Sequence, residues 1–279
     1  MTHEHGNDIH ALNQNIKAMK SIQSKPKDLW LAPTNLAVNE LNRHVISALI
    51  KNEDIFHYKC VAQHEIANLS APRVQTHKMK KELLGFNSNK WMAPIIHLAI
   101  GSRVRCVKNL GTQVGIFNGA LGTIISFVFK GPFPHRKDWD CTIAECAIDR
   151  ELPTVLVKMD EDFGSSCVPF ESNVVSFAPY TQTDNLNYKG HAYHRRQVPL
   201  ELAHASTVHK VQGITAPEQV IYLPCRNTLP GSKRQIGVQF GVDYTALSRS
   251  QSLAQIVLLG RVSEMNFTCF PKQRQLIEK

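Results

Sequence analysis

The chain has 279 residues, enough for about two domains of ordinary size, and its 43% hydrophobic and 20% charged content with 15 Gly and 14 Pro excludes disordered, collagen-like and disulfide-scaffold compositions. The longest uncharged apolar runs, 91–102 and 116–129, fall short of the roughly 20 residues a membrane-spanning helix needs, and the opening MTHEHGNDIH lacks the basic-then-apolar layout of a signal peptide. No membrane association and an intracellular setting, nuclear or mitochondrial if the source is eukaryotic, are therefore expected, with the seven unevenly spaced cysteines as reduced thiols.

The formal net charge of +9 is unevenly distributed. Residues 73–110 carry eight Lys/Arg against the single acid Glu82, and 186–249 carry eight against three. Between them, residues 140–173 carry eight acids against two bases. Two basic blocks flanking an acidic one suit a face that binds a polyanion by neutralising phosphates and releasing counterions.

In chain order, residues 1–28 are polar and His-rich and read as a weakly ordered lead-in, within which His3, His5 and His10 could chelate a metal but read rather as a mobile terminal tract. The apolar burst LWLAP then predicts a strand closed by Pro33. TNLAVNELNRHVISALI places Leu36, Val38, Leu41, Val45, Ile46, Leu49 and Ile50 at helical spacing behind a cap near Thr34. Strand, turn and helix make half of a βαβ unit. After a connecting segment, 61–99, the runs RVRCVKN, GTIISFVF, TVLVKM and VPFESNVVSF, separated by turns such as Asn118-Gly119, predict a small β-barrel inserted over 100–196. From Gln197 the alternation resumes, with VPLELAHA a strand, STVHKVQG a helix start, QVIYLPC a strand, VDYTALSRSQS a helix and AQIVLLGRV a strand. The predicted fold is α/β: one parallel-sheet domain from 29–60 and 197–279, interrupted by the barrel.

Two segments concentrate chemistry. In STVHKVQGIT (206–215) a helix opening with Ser206 and Thr207 would offer unpaired backbone N–H groups and a positive dipole to a phosphate. His209 and Lys210 add donors, and Gly213 permits close backbone approach by a ligand. In GVDYTALSRSQSL (241–253), Arg249 offers a rigid guanidinium able to reach a phosphate supplied by a neighbouring domain. Local pattern alone leaves an ordinary capped helix and a surface arginine as alternatives.

These residues resemble a known family. ELAHASTVHKVQGIT followed by VDYTALSRSQSL is similar to motifs V and VI of the Pif-type (petite integration frequency) helicases, the RecD-like branch of helicase superfamily one. LAIGSRVRCVKNLGTQVGIFNGALGTIISF resembles the family's signature leading into its small Src-homology-like barrel, and LWLAPTNLAVNELN resembles motif IV. The resemblance implies a RecA-like second motor domain, 2A, carrying a 2B-like barrel. It implies that Ser206, Thr207 and His209 face single-stranded DNA. Lys210, Gln212 and Gly213 would lie where the DNA and nucleotide sites meet, with Asn35 near the nucleotide. Arg249 becomes the arginine finger, and Arg103, Arg105 and Lys108 join the DNA-tracking surface. The family's usual Ser before Gln-Gly is Val211 here.

The chain contains no Gly-Lys-Ser or Gly-Lys-Thr, so the phosphate-cradling GxxxxGK[ST] loop is missing. TVLVKMDEDFG, with Asp160, Glu161 and Asp162, reads as a strand ending in a charged turn rather than a metal site. ATP and Mg²⁺ are thus expected only in a complete two-domain motor, whose Walker-bearing RecA-like domain is supplied in cis or trans. The expected function is the carboxyl-terminal half of a 5′-to-3′ ATP-dependent DNA helicase. The alternatives are a non-catalytic single-strand binding module and a decayed mobile-element fragment. Cys141 and Cys146 read as thiols without a second zinc-ligand pair, and Trp91 and Trp139 as core or loop residues that could also stack on bases.

Overall fold

The computed structural model describes residues 3–19, 22, 28–51, 55–66, 73–85, 92–112, 116–134, 151–161, 166–169, 171–188, 191–213, 215–216, 218–228, 233, 235–237, 239 and 241–267. The chain opens with α1 (His3–Gln14), β1 (Leu29–Ala32), α2 (Asn35–Ile50), β2 (His57–Val61), β3 (Gln63–Ile66), α3 (Arg73–Leu84) and β4 (Ile95–Ala99). A β-rich stretch follows: β5 (Arg103–Cys106), β6 (Leu121–Val128), β7 (Thr154–Met159), β8 (Val174–Phe177), β9 (Tyr180–Tyr188) and β10 (His191–Gln197). The last part holds β11 (Leu200–Leu202), β12 (Ala205–Thr207), β13 (Val220–Tyr222), α4 (Val242–Leu247) and β14 (Ile256–Leu258). Two compact units divide it, Met1–Val45 with His204–Lys279, and Ile46–Ala203.

The first unit is built on a four-stranded sheet in the order β12-β1-β13-β14. All three pairings are parallel, with Ala32 opposite Thr207, Leu31 opposite Tyr222 and Tyr222 opposite Leu258. This is the α/β parallel sheet the sequence predicts. Strands buried on both faces need apolar runs, and LWLA, VIY and IVL supply them. On one face Val38, Leu41 and Val45 of α2 pack with Trp30, Ile221 and Val257. The predicted cap is present: the Ala37 N–H donates to Thr34 Oγ1 at 3.2 Å. On the other face Val208, Val211, Ala216, Val242 and Ala246 pack with Leu31, Tyr222 and Leu258.

Three expectations are corrected in this unit. The lead-in is structured over much of its length, because its few apolar residues have a surface to bury. Residues 3–14 form α1, Ile9 and Leu12 pack on the second core cluster, and Ile16 bridges to Leu258. Lys17 N–H donates to Leu258 O at 3.0 Å and Leu258 N–H to Asn15 O at 3.1 Å, so the segment extends the sheet beyond β14. The loose His tract is helical instead. VPLELAHA is not one strand: β11 pairs antiparallel with β5 of the second unit, and only Ala205–Thr207 joins the parallel sheet. Finally, STVHKVQG does not start an α-helix. A single 3₁₀ turn, Val208–Val211, follows β12, and Gln212 is already extended with φ −60° and ψ 130°.

The second unit contains a five-stranded antiparallel sheet, β11-β5-β6-β7-β8, with Val104, Ile124, Val155, Val157 and Phe177 at its core. Beside it stand the antiparallel pair β2-β4 and the three-stranded sheet β3-β10-β9. Residues 46–60 and 197–203, which the sequence joins to the parallel-sheet domain, fall in this unit because β2 pairs along its length with β4 and β11 with β5. The connecting segment 61–99 carries β3, α3 and β4 rather than a plain linker.

Candidate functional site

In a parallel sheet all carboxyl ends lie along one edge, where open α/β sheets bind ligands. In the first unit that edge gathers most of the residues singled out in the sequence. Thr207 ends β12, is buried, and sits opposite Ala32, three residues before Asn35. Asn35 opens α2 with an exposed side chain. Ser206, half-buried, lies on β12. Ser206 and Thr207 therefore offer no helix dipole to a phosphate, contrary to the expectation: both are strand residues, no side chain caps the turn, and four residues of 3₁₀ helix carry no appreciable macrodipole. What remains is an outward loop, in which His209, Lys210, Gln212 and Gly213 are all exposed. Gly213 has φ +83°, a conformation that favours glycine, and a Cβ there would meet nothing within 4 Å.

Arg249 lies two residues beyond α4. The Ala216 N–H donates to Arg249 O at 2.8 Å, which stitches the loop after Gly213 to the end of that helix. Val208, Val211, Ala216, Val242 and Ala246 share one core cluster, so the two chemistry-rich segments, far apart in sequence, are packed together. The half-buried guanidinium folds along its own helix end, with Nε donating to Thr245 O at 3.1 Å and Nη2 to Ser248 Oγ at 3.0 Å.

Sequence reasoning overlooked Asp243. It is 1% exposed, and its Oδ1 accepts from Tyr222 O–H at 2.7 Å and from the Cys225 N–H at 3.0 Å, tying α4 to the end of β13. Its Oδ2 is buried with no hydrogen-bond partner among the described residues. Burial, followed by the Asp243 charge, raises the Tyr222 hydroxyl far above its ordinary range and pushes the Cys225 thiol up to about 12. The only sequence signal was one carboxylate at the start of an otherwise apolar helix. Asp243→Ala leaves a hydroxyl and a backbone N–H without their acceptor, and should lower unfolding stability by roughly 3 kcal/mol in urea denaturation.

In the second unit, Arg103 and Arg105 stand on β5 as partners of acids. Arg103 grips Asp160 in a fork, at 2.6 and 2.5 Å, and donates to Thr123 Oγ1 at 3.2 Å. Arg105 pairs with Glu201. Their guanidinium charge is thus largely answered within the sheet, by partners that the expectation of a DNA-tracking role for both did not include. Lys108 is half-buried at the end of that strand, its carbonyl accepting from Cys106 Sγ at 2.9 Å. Asp160 ends β7 as a charged turn; Asp162, Trp91, Trp139, Cys141 and Cys146 lie outside the described residues. Among the described residues, no group of three or more His, Cys, Asp or Glu side chains stands together to hold a metal ion, and no helix is long and apolar enough to cross a membrane.

No family model matches the chain. Among curated proteins, the ATP-dependent DNA helicase PIF1 of Rattus norvegicus is 28% identical over 167 residues, 59% of this chain and 19% of that protein. The Homo sapiens helicase of the same name is 26% identical over 183 residues, 65% of this chain and 22% of its own length. Among solved structures, Pif1 helicase from Candida albicans superposes with a TM-score of 0.58 at 21% identity, covering 99% of this chain and 53% of that one. The chain resembles one half of a Pif1-type helicase. Bacteroides Pif1 bound to ssDNA agrees in fold, with a TM-score of 0.57 at 18% identity over 98% of this chain and 49% of its own. The chain thus spans about half of the solved Pif1 chains and about a fifth of the curated PIF1 proteins. The α/β fold and the Pif1 likeness agree with the motif reading.

Proposed function

We propose that this chain is the carboxyl-terminal motor half of a Pif-type 5′-to-3′ ATP-dependent DNA helicase. The first unit is read as the second RecA-like domain and the five-stranded sheet of the second unit as its small barrel. The observation that carries the reading is the backbone bond between Ala216 and Arg249, which joins the segment holding His209, Lys210, Gln212 and Gly213 to the segment holding the arginine. In this reading Ser206, Thr207, His209 and Lys210 contact single-stranded DNA, with Arg103, Arg105 and Lys108 contributing along the barrel. Gln212, Gly213 and Asn35 approach the nucleotide. The residues present do not fit ATP·Mg²⁺ by themselves, since there is no GK[ST] sequence and no metal-holding group among the described residues. A Walker-bearing domain, in cis or trans, would hold both, and this chain would supply Arg249. The site of action would be intracellular, and nuclear or mitochondrial if the source is eukaryotic.

Binding of a labelled oligonucleotide to the purified chain, titrated with salt, tests the DNA half of the reading. Affinity should fall steadily as salt rises, with a log–log slope of about 0.7 per phosphate neutralised on a single strand. Undetectable binding at low salt, or binding indifferent to salt, contradicts it. The missing nucleotide loop favours one second reading, a single-strand binding module without motor activity. Turnover on addition of a Walker-bearing domain would decide between the two.

A further inference from the structure

The loop leaving β13 holds an arginine in a way that the protein's own packing does not use. Arg226 has φ +66°, in the left-handed region that residues with a long side chain seldom adopt. The backbone is fixed there from several directions. Arg226 N–H donates to Ile236 O at 3.1 Å and Ile236 N–H to Asn227 O at 2.9 Å. Gln235 Nε2 donates to Arg226 O, while Cys225 is held through its N–H by Asp243 and through its carbonyl by Asn266 Nδ2 at 3.2 Å. Asn227 fastens the loop to the next strand end: its Nδ2 donates to Arg261 O at 3.0 Å and its Oδ1 accepts from the Arg261 N–H at 3.0 Å. That clasp requires glycine at 260, because a Cβ there would overlap the Asn227 side chain.

In contrast to this satisfied backbone, the guanidinium Nε of Arg226 is buried and has no hydrogen-bond partner among the described residues. Asp243 Oδ1 accepts from Tyr222 and Cys225, its Oδ2 makes no hydrogen bond to Arg226, and no ion pair of Arg226 occurs among the described residues. A buried donor without an acceptor, on a backbone held in a disfavoured conformation, calls for a partner that arrives from outside. The loop lies at the carboxyl edge of the parallel sheet, the same edge that carries Thr207 and Asn35. Exposed Arg261, on the loop clasped by Asn227, adds a second positive charge. A planar fork of N–H donors in a setting of net positive charge selects a phosphate.

We propose that Arg226 is the receptor for a phosphate group at the carboxyl end of β13, supplied by a nucleic-acid strand or by a free polyphosphate. No motif correspondence assigns this residue, and only the strand source rests on the function proposed above.

Arg226→Gly is the decisive variant, because glycine adopts the left-handed conformation without penalty and the loop survives while the guanidinium is lost. Wild type and variant are compared by thermal melting, by anisotropy of a fluorescein-labelled oligothymidylate across a salt series, and by the melting shift that inorganic tripolyphosphate produces. The variant should melt at or above the wild-type temperature. If the phosphate belongs to a strand, oligothymidylate affinity falls several-fold and the salt slope becomes shallower by about 0.7. If it belongs to a free polyphosphate, the tripolyphosphate shift disappears while strand binding persists. Retention of both responses by Arg226→Gly overturns the proposal, as does a wild type that responds to neither probe or a glycine variant that melts lower. A wild type that ignores the oligonucleotide but shows an Arg226-dependent tripolyphosphate shift sinks the DNA-binding function and leaves this site standing.

Discussion

Arg249→Ala should reduce DNA-stimulated ATP hydrolysis by the chain assembled with a Walker-bearing domain on the order of a thousandfold, the scale on which an arginine finger acts. That is about 4 kcal/mol of transition-state stabilisation. The change removes a guanidinium whose Nε and Nη2 donate to Thr245 O and Ser248 Oγ, while the backbone bond from Ala216 to residue 249 is retained. Folding and oligonucleotide affinity should therefore stay close to wild type, which separates a catalytic loss from a structural one. Arg249→Lys should recover little, since an ammonium cannot reproduce the fork. Phosphate release measured with and without the partner domain checks both points. Hydrolysis by the purified chain alone, abolished by Arg249→Ala, would mean that a nucleotide loop exists where none is recognisable.

The largest expected effect on stability lies in the second unit, at Arg195. Its side chain is fully buried on β10, opposite His64 across the β3-β10 pairing. Nε donates to His64 Nε2 at 2.9 Å, Nη1 to Met92 O at 2.8 Å and Nη2 to Leu83 O at 3.1 Å. One cation thereby joins β3, the end of α3 and the segment entering β4. Arg195→Met leaves two carbonyls and a ring nitrogen buried without donors, and should cost roughly 3 to 5 kcal/mol in urea unfolding. The double change with His64→Leu should cost less than Arg195→Met alone.

The same pair makes this unit sensitive to acid. Because His64 Nε2 accepts from Arg195, its ring is neutral with the proton on Nδ1. Burial first, then the Arg195 charge, lowers its pKa to about 3 from 6.5. A histidine kept neutral in the fold binds its proton more readily when unfolded. Its contribution is therefore fully present above pH 6.5 and is lost as the pH falls from there towards 3. Unfolding at pH 5 should be easier than at pH 7 by about 2 kcal/mol from this group, and His64→Gln should flatten that dependence.

How much of this was legible beforehand can be traced residue by residue. The β1-α2 unit was readable because its information is local: an apolar burst, a cap at Thr34 and apolar residues at helical spacing are each sufficient within twenty positions. The helix expected at 206–213 was misread because two buried valines, Val208 and Val211, stand three apart in a turn as readily as in a helix, and Gln212 leaves the helical region at once. Helix α1 was hidden by polar composition, since its apolar residues matter only when the edge of β14 is there to receive them. The acid partners of Arg103 and Arg105 were not legible because they are 57 and 96 positions away.

Local pattern alone pointed to the parallel-sheet class and the missing phosphate loop, because periodicity, capping and residue chemistry act over a few neighbouring positions, whereas the motif blocks with Thr207, His209 and Arg249 were marked by the family resemblance. Only the tertiary structure decided that Ala216 meets Arg249, that Asp243 is buried against Tyr222, that Arg103 and Arg105 are paired with acids, and that Arg226 has a buried nitrogen without an acceptor among the described residues. The physical reason is that desolvation and hydrogen-bond pairing depend on which distant segments share a core, and a one-dimensional pattern does not record that sharing.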